Sequence, residues 1–252
     1  MSSTTIWGTL YGVSVGPGDP ELITLKGLNL LKQTPVVAFP AGIDGKPGIA
    51  EGIISQWLNP QQQQLPLHFP YVRDETELTQ AWQQAAHTVA SYLQQGIDVV
   101  FACEGDVSFY STFTYLAQTL QSTYPEIKVQ AIPGVCSPLA AVASLGIPLT
   151  IRSQRLTILP ALYQMEQLEN AINQADVVVL MKVSSVYQQV WEILKQFNLL
   201  EQASVVKWAT QQRQAVYHGL SDRPQLQLSY FSLMIIQTES HRGKASSKGK
   251  IG

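Results

Sequence analysis

The chain has 252 residues, 45% of them hydrophobic and 13% charged, a formal net charge of −2 and a mean hydropathy of +0.03. That length holds one large or two ordinary α/β domains that fold without covalent staples, and the near-neutral charge gives no global pull toward nucleic acid or an anionic membrane. Cys103 and Cys136 stand outside any Cys-x-x-Cys spacing and the histidines at 68, 87, 218 and 241 are scattered, which argues against a disulfide framework and against a bound metal.

Met1 to Thr5 lack the charged start and apolar stretch of an export signal, and no run approaches the roughly 18 apolar residues of a membrane span. A cytoplasmic protein is expected. The first apolar run, Leu10 to Val15, ends in Val15-Gly16-Pro17-Gly18-Asp19; Asp19 then reads as the cap of a helix with Pro20 at its first position. Val36 to Phe39 is the second run, the glutamines 61 to 64 after Asn59-Pro60 read as a loop, and Glu75 to Gln95 carries the three-and-four spacing of a helix. Val99 to Cys103 leads into Glu104-Gly105-Asp106-Val107-Ser108, with a helix expected from near Phe109.

The polar, proline-bearing segment Ser122 to Glu126 is the expected boundary between an N-terminal α/β domain, residues 1–123, and a C-terminal α/β domain, residues 124–240. Beyond it, Val129 to Ile132 runs into Pro133-Gly134-Val135-Cys136-Ser137, followed by the runs Leu156 to Leu159, Val177 to Val183, Val205 to Trp208 and Leu233 to Ile236, with a helix over Ser185 to Phe197. Continuous hydrophobicity suits strands buried on both faces, and their alternation with helices predicts an α/β fold with largely parallel sheet. The segment 241–252 is small, polar and basic, with Arg242, Lys244, Lys248 and Lys250, and is expected to be disordered. Four charges without aromatic residues are a weak nucleic-acid footprint.

Three glycine-bearing turns thus follow apolar runs, and in a parallel sheet the ends of such runs share one edge, where turns close round a small ligand. Gly16 and Gly18 together exceed what a strand-to-helix turn needs, since one residue of positive φ suffices there, and two missing side chains let a ligand approach the backbone. The spacing matches neither G-x-G-x-x-G nor G-x-x-x-x-G-K-[ST], so dinucleotides and triphosphates are disfavoured. On an extended backbone Glu104 and Asp106 would point to one side, toward an amino group or hydroxyls of that ligand. Each turn also has a purely structural use as a helix start.

The string Leu10 to Gly27 resembles the opening motif of the tetrapyrrole methylases, which use S-adenosylmethionine in cobalamin and sirohaem synthesis. Glu104 to Phe113, Ile132 to Ser137, Leu145 to Leu149, Leu180 to Val183 and Tyr230 to Leu233 are similar in the expected order, and within the family the string is most similar to the branch that methylates precorrin-2 at C20. The resemblance implies a two-domain α/β enzyme, usually a homodimer, with parallel or mixed sheets, flanking helices and an interdomain cleft for the methyl donor. Its donor residues would be Pro17, Gly18, the backbone of Glu104, Gly105 and Asp106, then Phe109, Cys136, Ser137, Met181 and Ala209. Two positions depart from the pattern: Val107 stands where proline is frequent, and Cys136 where Thr or Ser is common.

Methyl transfer from a sulfonium to an electron-rich ring carbon needs alignment and exclusion of water more than a nucleophilic side chain. A base for the ring proton is not evident; Asp106 and Tyr110 are the candidates. A substrate rich in carboxylates calls for local cations, for which Arg73, Arg152, Arg155, Lys182 and Arg213 are placed in or beside loops. A methylase of another ring position and a non-catalytic ligand-binding protein on the same fold remain open alternatives.

Overall fold

The structure, a computed structural model, describes residues 6–42, 46–70, 72 and 74–238. The basic segment 241–252 and Arg73 lie outside the described residues. The chain divides into two compact units, Met1–Cys136 and Ser137–Gly252.

In the first unit, strands β1 (Thr9–Ser14), β2 (Val36–Pro40), β3 (Gln63–Leu67), β4 (Val99–Cys103) and β5 (Lys128–Ile132) form one sheet of order β3-β2-β4-β1-β5. Every pairing in it is parallel. Helices α1 (Leu25–Gln33), α2 (Ile49–Ile54), α3 (Glu75–Leu93) and α4 (Thr112–Thr123) make the connections. Two apolar clusters result, one joining Leu10, Val99 and Phe101 to α3 and α4, the other joining Val13, Val37 and Val100 to α1 and α2. Strands buried on both faces give the continuous apolar runs seen in the sequence. Gly12, in β1, lets the Phe113 ring of α4 pack directly on the strand, because a Cβ there would overlap the phenyl ring.

In the second unit, α5 (Ser137–Leu145), β6 (Leu156–Leu159), α6 (Met165–Gln174), β7 (Val177–Met181), α7 (Tyr187–Gln196), β8 (Ala203–Lys207), β9 (Ala215–His218) and β10 (Ser232–Gln237) follow in order. The sheet runs β6-β7-β10-β8-β9 and is mixed: β6 and β7 are parallel, while β10 is antiparallel to both β7 and β8, and β9 to β8. Its core packs Leu168 and Ile172 of α6 and Val190, Trp191 and Leu194 of α7 over Val178, Leu180, Val205, Met234 and Ile236.

Three expectations need correction. The division of the chain falls at Cys136–Ser137 rather than between residues 123 and 124, because β5 pairs with β1 and so completes the first sheet. The glutamine run 61 to 64 enters β3, an edge strand bonded to β2 alone and exposed over most of its length, so polar side chains are tolerated there. Asp19 does cap Pro20, but the turn is a single 3-10 turn, Pro20–Leu22; the α-helix starts afresh at Leu25 with Thr24 as its cap.

Candidate functional site

The order of the first sheet sets the C-terminal ends of β4, β1 and β5 side by side, and the three glycine-bearing turns leave from them. The first two are joined through their glycines. Gly105 N–H donates to Gly16 O at 2.8 Å and Gly16 N–H to Gly105 O at 3.2 Å, an isolated antiparallel bridge just past the parallel ladder. Both glycines are left-handed, with φ of +77° and +69°, a conformation that costs an L side chain about 1–2 kcal/mol. Gly18 is not among the residues of positive φ, so backbone conformation alone does not call for glycine there. Pro17 is buried and Gly18 half-buried.

Asp106 ties in the third turn. Its Oδ1 accepts from Ser108 N–H at 2.8 Å and from the Ser108 hydroxyl at 2.6 Å, and its Oδ2 accepts from Gly134 N–H at 2.7 Å. Burial pushes this carboxyl up, but the hydrogen bonds from Ser108, Gly134 and Ser14 outweigh it and hold the group below its ordinary value. A carboxylate so occupied is a poor proton acceptor and has little capacity left for a ligand. The alternation that would aim Asp106 and Glu104 to the same side fails at Gly105, whose positive φ ends the extended backbone.

Ser14 is the residue that the sequence reading missed. It is fully buried at the end of β1, donates to Ile132 O at 2.8 Å, accepts from Val107 N–H at 2.9 Å and lies 3.3 Å from Asp106 Oδ2. One hydroxyl thus links the ends of β1 and β5 to the second turn. Its signal was available, since a lone serine inside an apolar run must find partners when buried. Val107 gives Ser14 an N–H that a proline at this position would lack. Gly134 packs its Cα against Ser14 so closely that an added Cβ would sit 2.5 Å from the serine Cβ.

Around this ledge, Phe109 N–H donates to Asp106 O at 3.2 Å, and the Phe109 ring meets Tyr110 edge-on at 4.8 Å. Tyr110 is 57% exposed with φ of 51°. Cys103 is buried against the Ser111 hydroxyl at 2.8 Å, and burial pushes its thiol up to about 11, so it is inert. Cys136 closes the first unit and Ser137 begins α5.

In the second unit, β7 and β8 end at the same edge, where β10 begins; Met181 pairs with Leu233 and Lys207 with Ser232. Met181, Lys182 and Ala209 therefore come together there, and Ala209 is buried. The turn after β8 is braced by Gln214, whose Oε1 accepts from Thr210 N–H at 2.6 Å and from Ser144 Oγ of α5 at 2.8 Å. Arg155 is at the opposite end of this sheet, beside Asp176 at 3.8 Å, where β6 and β7 start. Arg152 is exposed in the loop before β6.

Two surface grooves fall elsewhere. One of about 520 Å³ is lined by Gln83, His87 and Tyr124, and another of about 490 Å³ by Leu159, Tyr163 and Asn170. Among the described residues no group of three or more His, Cys, Asp or Glu is arranged to hold a metal ion, and no helix is long and apolar enough to cross a membrane.

Residues 9–224 match the model of one family, Tetrapyrrole (Corrin/Porphyrin) Methylases. The chain is 31% identical over 236 residues to a cobalt-precorrin-2 C(20)-methyltransferase of Salmonella typhimurium, covering 92% of this chain and 97% of that protein. It is also 32% identical over 237 residues to the cobalamin biosynthesis protein CobIJ of Mycobacterium bovis, but spans only 46% of that protein's length. Among solved structures it resembles a cobalt precorrin-4 methyltransferase, with a TM-score of 0.70, 22% identity and coverage of 90% of this chain and 94% of the other. A uroporphyrin-III C-methyl transferase of Thermus thermophilus in complex with S-adenyl homocysteine gives a TM-score of 0.63 at 20% identity, covering 94% of this chain and all of the other. These structural likenesses establish the shared fold.

Proposed function

This chain belongs to the tetrapyrrole (corrin/porphyrin) methylases, and on that premise we propose that it transfers the methyl group of S-adenosylmethionine to C20 of precorrin-2, or of its cobalt form, to give precorrin-3A or its cobalt counterpart in cobalamin biosynthesis. The observation that carries this reading is the near end-to-end match to a protein named for that reaction. The reading includes assembly as a homodimer, which light scattering would register as a mass near twice the 27.8 kDa of one chain.

The ledge on the first sheet suits the donor. The cross-bonded Gly16 and Gly105 bring bare backbone to the sheet edge, and a Cβ on Gly105 would meet nothing within 4 Å, so this backbone faces open space. The donor supplies a methyl group made electrophilic by its sulfonium. Pro17, Gly18, Glu104, Gly105 and Phe109 would hold it through backbone groups and apolar contact, and the cysteine at 136 leaves a backbone contact there intact. The protein's work is to fix position and to shed water from the reacting atoms. Asp106 holds the turns in register and is not assigned the base.

Gly18→Val tests the donor ledge. The variant is expected to fold, because the position lies at a sheet edge, while calorimetry records donor binding weakened by about 2–3 kcal/mol from lost space. Unchanged affinity in the folded variant would remove Gly18 from the donor site.

A further inference from the structure

At the edge of the second sheet five side chains form one unbroken stack. Lys182 Nζ lies 5.2 Å from the centre of the Tyr230 ring, Tyr230 meets Phe231 edge-on at 5.2 Å, Phe231 lies 4.6 Å from Trp208, and the guanidinium carbon of Arg213 sits 3.3 Å from the centre of a Trp208 ring. A cation thus stands at each end of a row of rings. The ion pairs formed among the described residues are those of Arg155 with Asp176 and Arg223 with Asp222, so among the described residues of this unit no carboxylate forms an ion pair with Lys182 or Arg213.

The backbone beneath the row is held in costly conformations. Lys182, Trp208 and Thr210 are all left-handed, with φ of 54°, 53° and 65°, and such strain persists only where the surroundings enforce it. The enforcement is visible: Trp208 N–H donates to Phe231 O at 2.9 Å, and Gln214 fastens Thr210 N–H as well as Ser144 of α5. Arg213 is fixed twice, by its stack on Trp208 and by Nε donating to Gln211 Oε1 at 3.3 Å, which leaves the two terminal nitrogens to address a ligand.

We propose that Lys182 and Arg213 grip peripheral carboxylates of the macrocyclic substrate, with Trp208 and Tyr230 as the rings that hold the two cations in place. The proposal rests on the reading that the substrate is a tetrapyrrole bearing acid side chains. A guanidinium already stacked loses little rotamer freedom on binding and presents a planar fork that matches a carboxylate. Lysine adds a point charge at the far end of the row.

The test uses the full chain and two readouts. In turnover, Arg213→Ala is expected to raise the apparent KM for precorrin-2 by roughly 10–100-fold, the loss of a charge-assisted contact, while the donor Kd stays unchanged. Lys182→Ala should act in the same direction and Arg213→Lys should fall between, since it restores charge without the fork. Arg155→Ala removes an equal charge at the other end of the sheet and is expected to change nothing. The second readout, independent of activity, is fluorescence titration with uroporphyrin, whose affinity should fall by roughly tenfold or more in Arg213→Ala and decline with salt.

Arg213→Ala indistinguishable from Arg155→Ala in both readouts would overturn the proposal, as would a donor Kd that worsens in step with KM or a wild-type protein that binds no uroporphyrin. Arginine-dependent uroporphyrin binding without C20 methylation would uphold the carboxylate grip while refuting the reaction assigned above.

Discussion

Asp106→Ala is expected to lower the stability of the first unit by about 3 kcal/mol and to abolish measurable donor binding. The side chain accepts from Ser108 N–H, the Ser108 hydroxyl and Gly134 N–H; stranding such donors costs about 1–3 kcal/mol each when they are buried and less where water reaches them. Asp106 is only half-buried, so the lower part of that range applies to each bond. The larger consequence is geometric, because the one carboxylate of Asp106 accepts hydrogen bonds from both the second and the third turn. A thermal scan should show the midpoint falling by roughly 5–10 °C, with calorimetry showing no heat of donor binding in the still-folded protein at lower temperature.

The same residue predicts a pH dependence. Its folded pKa is held below its ordinary value, so its contribution to stability is fully present above that ordinary value, near pH 4, and is lost as pH falls through the lowered one. Acid titration of the wild-type protein should therefore show a loss of stability below about pH 4 that Asp106→Asn lacks. Identical acid profiles for the two would mean the carboxylate does not hold the turns.

Gly134→Ala is the second large effect. The new methyl would stand 2.5 Å from the Ser14 Cβ, which belongs to a fully buried residue at the end of β1, an interior strand of the first sheet. Neither side can yield cheaply, and overpacking of this kind costs about 1–3 kcal/mol. The third turn is then pushed off Asp106, and donor affinity should fall with it. Gly52→Ala provides the contrast: the position lies within α2, its added Cβ would meet nothing within 4 Å, and the change should raise stability by about 0.5–1 kcal/mol. Equal outcomes for the two glycines, read by denaturant unfolding, would contradict the packing described at Ser14.

How far the molecule could be read from its residues follows from where burial is two-sided. Val99 to Cys103 and Val177 to Met181 have neighbours on both edges and helices on the faces, so they are apolar throughout and easily located. Gln63–Leu67 and Ala215–His218 each close one edge of a sheet; water wets them, their side chains are mixed, and periodicity passes over them. Lys128–Ile132 is likewise an exposed edge strand, and the polar turn before it resembles a linker although β5 still belongs to the first sheet. The three turns were legible because glycine and proline mark them. Their fastening was not, since it depends on Ser14 and Asp106, 92 residues apart, meeting through strand order. The stack from Lys182 to Arg213 was hidden for the same reason: its rings come from the turn after β8 and the segment before β10, joined only by pairing.

The most direct test is the destination of the methyl group. Incubating the protein with precorrin-2 and donor labelled with carbon-13 in its methyl, then recording the carbon spectrum of the product, should give a single labelled methyl at C20. Label on any other ring carbon, or none at all from a folded protein that binds the donor, would contradict the proposed reaction.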